Sequence, residues 1–441
     1  MSILLVNKLA LDLVARDFSD GHAPTNGGPT KTSRALAIIH LAARDAYAAF
    51  VLPAPYAPKL SPLPALPVGL ARTTANGETA ALAAGVRAAE LLYPNDSAYI
   101  SQQSSGFLAI GNAMATQFGY QVAVAWIASR QADGASLPQL DSLYDPGVGR
   151  HRPDPLAPAQ PTLGRNWGKV KPFVLLDVKT DTMLKPPHLL NSKEYADDFK
   201  EVYECGRNNI PNLKSGFRKK AAEGIFWGYD GSNKLGTPPR LYNQVITSTA
   251  EFMALTEEKR INVLAAINAA MADAGIAAWY WKYTYDRWRP VVGIREAGSG
   301  WGPTGAGDGN PKPNEHDPFW LPLGAPASNE TNKQNGTPNF PAYPSGHATF
   351  GSACFKAFAQ LVGVAPKDIK FNFVSDEFNG TTTDNRGAVR PRFEYKNMSL
   401  LTAIKDNDES RIFLGVHWRD DAEGGNTVGT AIAAKAFDAF K

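Results

Sequence analysis

The sequence predicts a mainly α-helical protein: one large unit built from two four-helix-type bundles, with long ordered loops. Three observations carry that expectation. Apolar residues recur at helical spacing in seven separate segments. Runs with two-residue alternation are few. The chain has 441 residues, enough for two bundles of similar size, and shows no repeat of a short unit.

Taken in order, segment 31–50 places Leu36, Ile39, His40, Ala43 and Tyr47 on one helical stripe. Segments 77–93 and 106–131 read the same way, and 191–205 adds a cap at Asn191-Ser192. The longest run is 256–288, opened by Thr256-Glu257-Glu258 and leading through Ala-rich turns to "AAWYWKYTYDRW". Segments 345–362 and 426–440 complete the set. Pro-rich residues 52–69, the mixed stretch 144–164 and the long segment 297–344 lie between helices. A loop as long as the last is either functional or disordered. His316, Phe319 and Trp320 in "NEHDPFWLPL" favour an ordered, packed loop. The division is expected near residue 185, with an N-terminal bundle at 1–185 and a C-terminal bundle at 186–441.

Hydrophobic residues make up 44% and charged residues 20%, an ordinary globular balance. The formal net charge of +3 argues against a nucleic-acid stripe or an anionic-membrane patch. Cys205 and Cys354 cannot form a disulfide framework or a Cys-rich zinc site, and read as buried free thiols. Lys8, Asp12, Arg16 and Asp17 break the first apolar run, so no signal peptide is expected. No stretch approaches the roughly 18 apolar residues of a membrane span. A cytoplasmic protein, or one exported by a non-classical route, is expected; a homo-oligomer is left open.

Of seven histidines, His22, His40, His151, His188 and His316 read as structural. His347 and His417 keep different company. Lys282 and Arg289 are seven residues apart, which on one helix puts them about 20° apart on the same face. Either Asp286 neutralises them as a solvated face, or they hold an anion together. Pro344-Ser345-Gly346-His347 opens a helix whose free amides, with the Ser345 hydroxyl, attract an anion. Arg411 offers a fork of donors for a tetrahedral oxyanion. His417, six residues later, reaches the same place only through a bend, expected near Gly415. Asp421, one turn on, would fix its tautomer. Each piece alone reads as ordinary surface or packing. Together they form an oxyanion cage with no carboxylate among its immediate groups. No Asp/Glu cluster suggests a magnesium or zinc centre.

The pattern Lys282…Arg289-Pro290, Pro344-Ser345-Gly346-His347 and Ser410-Arg411…His417…Asp421 resembles the signature of the type 2 phosphatidic acid phosphatase and vanadium haloperoxidase superfamily. The motifs span 279–421; the N-terminal half is similar only in helical style. The 62 residues between His347 and Ser410, and the length of the chain, resemble haloperoxidases more than phosphatases. Trp279 and Phe340 stand where the chloroperoxidase-like members carry Trp and Phe.

The resemblance implies vanadate as cofactor, with phosphate able to occupy the site in the apo form, and hydrogen peroxide, halide and small organic acceptors as reactants. It implies catalytic roles for His347, His417 and Lys282. It implies vanadate binding by Lys282, Arg289, Ser345, Gly346, His347, Arg411 and His417, with His417 as axial ligand to vanadium. Trp279 and Phe340 would shape the halide pocket, and Asp421 would orient His417. The alternatives are an acid phosphatase with His417 as nucleophile, and a non-catalytic anion-binding protein.

Overall fold

The structure is a computed structural model. It describes residues 2–19, 24–51, 57, 59–141, 144–145, 147–208, 217–297 and 317–441. The helices, in chain order, are α1 (Leu4–Asp17), α2 (Gly28–Ala48), α3 (Thr74–Leu92), α4 (Ser97–Leu108), α5 (Ala113–Ser129), α6 (Val178–Asp181), α7 (Lys193–Cys205), α8 (Phe217–Phe226), α9 (Pro238–Thr247), α10 (Ala250–Met253), α11 (Glu257–Tyr285), α12 (Pro290–Arg295), α13 (Gly346–Val362), α14 (Leu400–Phe413) and α15 (Arg419–Phe440). Two small antiparallel pairs accompany them: β1 (Leu140–Asp141) with β2 (Thr162–Leu163), and β3 (Lys370–Val374) with β4 (Glu394–Ser399). The expected mainly α class is what the chain adopts.

The organising element is α11. The Thr256 hydroxyl accepts from the Lys259 amide, and Glu257 and Glu258 complement the positive end of the helix. From Ile261 to Ala278 every residue is buried, the mark of a helix enclosed on all sides. It packs against α2 from the N-terminal half and against α13 and α15 from the C-terminal half. One apolar cluster therefore runs from α1 to α15. By length and composition α11 could cross a membrane, but here it is the core helix, its apolar window fully buried. Midway along it, Asp273 is completely buried and accepts from the amides of Phe173, Val174 and Leu175 at 2.7–2.8 Å. One carboxylate thus ties the 171–177 connection to the central helix, although burial pushes its pKa up to about 6.

The packing of α15 on α13 is unusually close. A Cβ on Gly425 would lie 2.6 Å from the Ser345 carbonyl, and one on Gly429 would lie 2.6 Å from the Thr349 carbonyl. Two glycines four apart let the α15 backbone approach the first turn of α13, where Ser345 sits.

Several expected boundaries shift. Segment 106–131 is broken between Leu108 and Ala113, where the Asn112 side chain caps a fresh helix by accepting from Met114 and Ala115. Segment 426–440 begins earlier, at Arg419. Segment 256–288 ends at Tyr285, because Asp286 turns left-handed (φ +51°) and Pro290 starts α12. Lys282 and Arg289 are therefore not on one helix, and the two-turn alignment read from their spacing does not hold. Helices α1, α9 and α14 and the β3–β4 pair were not expected. In α1, Lys8 and Asp12 pair on the outer face and leave Val6, Leu9 and Leu13 buried. His316 lies outside the described residues, as does His22. Trp320 is buried, whereas Phe319 is exposed. Cys354 is buried and Cys205 is half-buried; both are free.

Candidate active site

Four segments deliver the site. The last turns of α11 carry Trp279 and Lys282. Arg289 is the residue before α12. Ser345, Gly346 and His347 form the start of α13, where the Ser345 hydroxyl accepts from the Ala348 amide. Arg411 ends α14, and His417 precedes α15. Between those two the chain turns at Gly415, whose φ of +70° suits a residue without a Cβ. The bend expected from their spacing is at that position.

Lys282 is completely buried and donates to the carbonyls of Pro341 (2.8 Å), Ala342 (2.9 Å) and Pro344 (2.6 Å). Three acceptors match three ammonium protons, so the geometry fits the charged form. Burial, then the nearby Arg289, push its pKa well down, while Asp421 opposes them. Asp286, the partner suggested by sequence spacing, instead closes α11 as its left-handed cap. Arg289 donates from Nε to the Phe340 carbonyl (2.9 Å), and from Nη1 to the Val416 carbonyl and His417 Nε2 (both 2.8 Å).

That last contact decides the tautomer of His417. Its Nε2 accepts from a guanidinium, so its proton sits on Nδ1 and is donated to Asp421 Oδ2 at 2.9 Å. The same Oδ2 accepts from the Trp418 amide at 2.9 Å. Burial, then Arg289 and the other cations, keep His417 neutral by holding its pKa well below the usual value. Asp421 is pushed up to about 7 by burial, and its backbone carbonyl accepts from the Ser345 amide (2.7 Å).

His347 donates from Nε2 to the Gly228 carbonyl at 2.7 Å. Burial and then Arg411 lower its pKa to about 3, so it too is neutral. Arg411 makes a bidentate pair with Asp230, Nη1 to Oδ2 at 3.0 Å and Nη2 to Oδ1 at 2.7 Å. This corrects the expected cage without a carboxylate: Asp230 is part of it, 3.8 Å from His347 Nε2. The only hint in the sequence was an Asp in a Gly-flanked turn, "WGYDGS". A buried network holds that turn. Glu377 accepts from the Ser328 hydroxyl and Arg390, both at 2.5 Å, and more weakly from the Tyr229 amide at 3.4 Å. Ser375 donates to the Phe226 carbonyl (2.7 Å), and the Tyr229 hydroxyl accepts from the Asp376 amide (2.8 Å). The stretch between His347 and Ser410 thus braces the turn that supplies Gly228 and Asp230.

In the site, the buried guanidinium donors Arg289 Nη2 and Arg411 Nε have no partner among the described residues. Unpaired buried donors beside a neutral imidazole lone pair fit an oxyanion. Trp279 and Phe340 pack with ring centroids 4.7 Å apart, and Phe340 lies 5.2 Å from Lys282 Nζ and 5.0 Å from the Arg289 guanidinium carbon. A cavity of about 600 Å³ opens onto Trp279, Phe340, Gly346, His347, Arg411 and His417. Lys282, Arg289, Ser345 and Asp421 stand behind its wall. Of the histidines read as structural, the described ones, His40, His151 and His188, do not line this cavity. His40 is buried on α2, His151 is buried beside Tyr144, and His188 pairs with Asp198 (3.0 Å) near Asp420. Those last three residues form a small His/Asp cluster that the sequence did not suggest.

A family model described as the VCPO second helical-bundle domain matches residues 262–441. The vanadium chloroperoxidase of Curvularia inaequalis is 31% identical over 95% of this chain and 79% of its own length. Among solved structures, a bacterial vanadium-dependent iodoperoxidase aligns with a TM-score of 0.72 at 22% identity, covering 98% of this chain and 95% of that one. A holo-type bacterial vanadium-dependent chloroperoxidase aligns at 0.65 and 16% identity, covering 95% and 94%. With the fold shared across the whole chain and sequence identity sustained over nearly all of it, this chain belongs to the vanadium haloperoxidase family, whose cofactor is vanadate.

Proposed function

We propose that the chain oxidises a halide with hydrogen peroxide to hypohalous acid, which halogenates organic acceptors. The balance is H2O2 + X⁻ + H⁺ → HOX + H2O. The reading rests above all on the His417 arrangement: a neutral ring with its Nε2 lone pair turned to Arg289, next to two guanidinium donors without partners. In this reading His417 Nε2 would hold vanadium, giving up its contact with Arg289 Nη1. Arg289 and Arg411 neutralise its oxygens, with the Ser345 hydroxyl and the first-turn amide of Gly346 as further donors. Vanadate, when bound, supplies a Lewis-acidic centre that polarises peroxide without changing oxidation state.

The remaining roles belong to this chain's side chains. His347 is neutral and has Nε2 committed to Gly228, so it takes a proton from peroxide at Nδ1. Lys282 contributes its charge and holds 341–344 in place; a direct bond to vanadate requires it to release one of its three carbonyls. Trp279 and Phe340 give the halide an apolar wall, which supports chloride or bromide as the substrate of a chloroperoxidase-like enzyme. Asp421 keeps the proton of His417 on Nδ1. All these groups fall in the C-terminal unit proposed at 186–441.

The test is bleaching of a diketone dye that depends on vanadate, peroxide and halide together. The rival phosphatase would use the same Nε2 lone pair as nucleophile. It predicts nitrophenol release from its phosphate ester and no bleaching.

A further inference from the structure

A second pocket lies in the N-terminal half, between the start of α2, the ends of α3 and α5, and residues 130–136. It encloses about 280 Å³ and shares no lining residue with the cavity over the cage. Three cations line it, Lys31, Arg34 and Arg130, against a single carboxylate, Asp133. That carboxylate is already used. Its Oδ2 accepts from Arg34 Nε (2.8 Å) and Arg130 Nε (2.9 Å), and its Oδ1 from the Ala135 amide (3.0 Å). Asp17, under the turn at Thr25 and Asn26, is likewise spent on their two amides, at 2.7 Å each. Burial lowers the pKa of Arg130; Asp133 opposes this, and the neighbouring Arg34 adds to it.

The cations differ in what they have left to donate. Arg130 is buried and gives its two remaining arms to the carbonyls of Pro172 (3.3 Å) and Lys171 (2.5 Å). Arg34 is fixed at two points, by Asp133 and by the Arg130 carbonyl, which Nη2 meets at 2.9 Å. Its Nη1 makes no hydrogen bond among the described residues and is not enclosed by protein, so it opens on the pocket. Lys31 is half-buried and has no ion pair among the described residues. Three residues apart on α2, Lys31 and Arg34 share a face. Like charges at that spacing repel, a cost that an anion between them removes. The adjoining wall is apolar: Leu92, Ile127 and Trp167. Trp167 is 1% exposed, and its Nε1 is a buried donor with no partner among the described residues.

We propose that this pocket is a second anion site, which takes a small organic acid. Its carboxylate or phosphate lies between Lys31 and Arg34, and its apolar body lies along Trp167, Ile127 and Leu92. The volume is just under the roughly 300–1,000 Å³ of pockets for drug-sized ligands, so the body is about two rings at most. A guanidinium already held by Asp133 presents its open donor with little further loss of side-chain freedom. The site does not depend on the haloperoxidase reading, because no cage residue contributes to it.

The test is calorimetric titration of the vanadate-loaded enzyme, freed of excess vanadate, with 1-naphthoate and with 1-naphthyl phosphate. Saturable binding of at least one is expected, and the tighter of the two gives the head group. Arg34→Gln is expected to weaken that binding at least about tenfold, the scale of a hydrogen bond to a charged group. Lys31→Glu breaks no ion pair among the described residues and is expected to weaken it at least as much. Binding should also fall as salt rises, and neutral 1-naphthamide should bind at least tenfold more weakly than 1-naphthoate. No saturable binding of either acid, an unchanged affinity in Lys31→Glu, or equal binding of 1-naphthamide overturns the proposal. If Arg34→Gln does not fold, Lys31→Glu decides the question alone.

Discussion

Consider replacing Gly415 with Ala. Two separate costs follow from its position. Its φ of +70° is left-handed, which for an L-residue costs about 1–2 kcal/mol. Its Cβ would also lie 2.3 Å from the Gly206 carbonyl oxygen and 3.0 Å from Pro322 Cβ. The nearest obstacle is backbone, at the end of α7, and has no rotamer to change. Overpacking of that kind costs about 1–3 kcal/mol more. Gly363 supplies the control. It has the same φ of +70°, but a Cβ there meets nothing within 4 Å. Gly363→Ala should therefore cost only the first amount and Gly415→Ala both, about 2–5 kcal/mol. Urea unfolding followed by tryptophan fluorescence measures the difference. Because Arg411 and His417 flank the turn, Gly415→Ala should also weaken vanadate binding by about tenfold or more, the scale of disturbed ligand support. Equal midpoint losses in the two variants would refute the clash argument. Unchanged vanadate affinity in a folded Gly415→Ala protein would refute the claim that this turn sets the cage.

Three other outcomes are expected. His417→Ala should lower vanadate affinity by at least about 100-fold in equilibrium dialysis, beyond the usual effect of a supporting residue; retained affinity removes the axial-ligand assignment. Phe340→His removes the ring facing Lys282 and Arg289, contacts worth about 0.5–1 kcal/mol each. It should move the chloride-to-bromide rate ratio toward bromide by about fivefold, and a constant ratio takes Phe340 out of selectivity. His40 is held down to about pKa 4 by burial, against an ordinary value of 6.5. The unfolded chain takes up a proton there that the folded chain refuses. Its stabilising contribution is whole above pH 6.5 and falls by about 1.4 kcal/mol per pH unit down to about pH 4. His40→Gln should flatten the stability profile by that slope; an unaltered slope contradicts the assignment.

The helical periods were legible because burial on one face leaves a periodic trace. Segments 31–50 and 345–362 differ from α2 and α13 by only a few residues at their ends. The residues of the proposed cage stand at intervals that anion binding would need, and Arg289, Arg411 and His417 lie on one cavity and its wall. Both patterns are local in sequence. What was missed depends on long-range contact. Asp230 joins the site through Arg411, 181 residues away. Glu377 braces Tyr229 from 148 residues further on. Neither partner leaves a periodic trace around its own position. The alignment of Lys282 with Arg289 failed for the opposite reason: a local rule was extended past Asp286, where the helix had stopped. The carbonyls that take up Lys282 were invisible because any sequence supplies carbonyls.

Those three carbonyls bear on how the enzyme becomes active. With Lys282 already committed to residues 341, 342 and 344, the segment leading into Ser345 is ordered before any anion arrives. Little ordering entropy remains to be spent on loading. On the proposed function phosphate, like vanadate in shape and charge, would compete for this site. The share of enzyme holding each follows from their two affinities and the ambient ratio of the anions. Folding and activation become separate events. A cell rich in phosphate and poor in vanadium would carry this protein as a reserve, switched on by trace-metal supply without new synthesis.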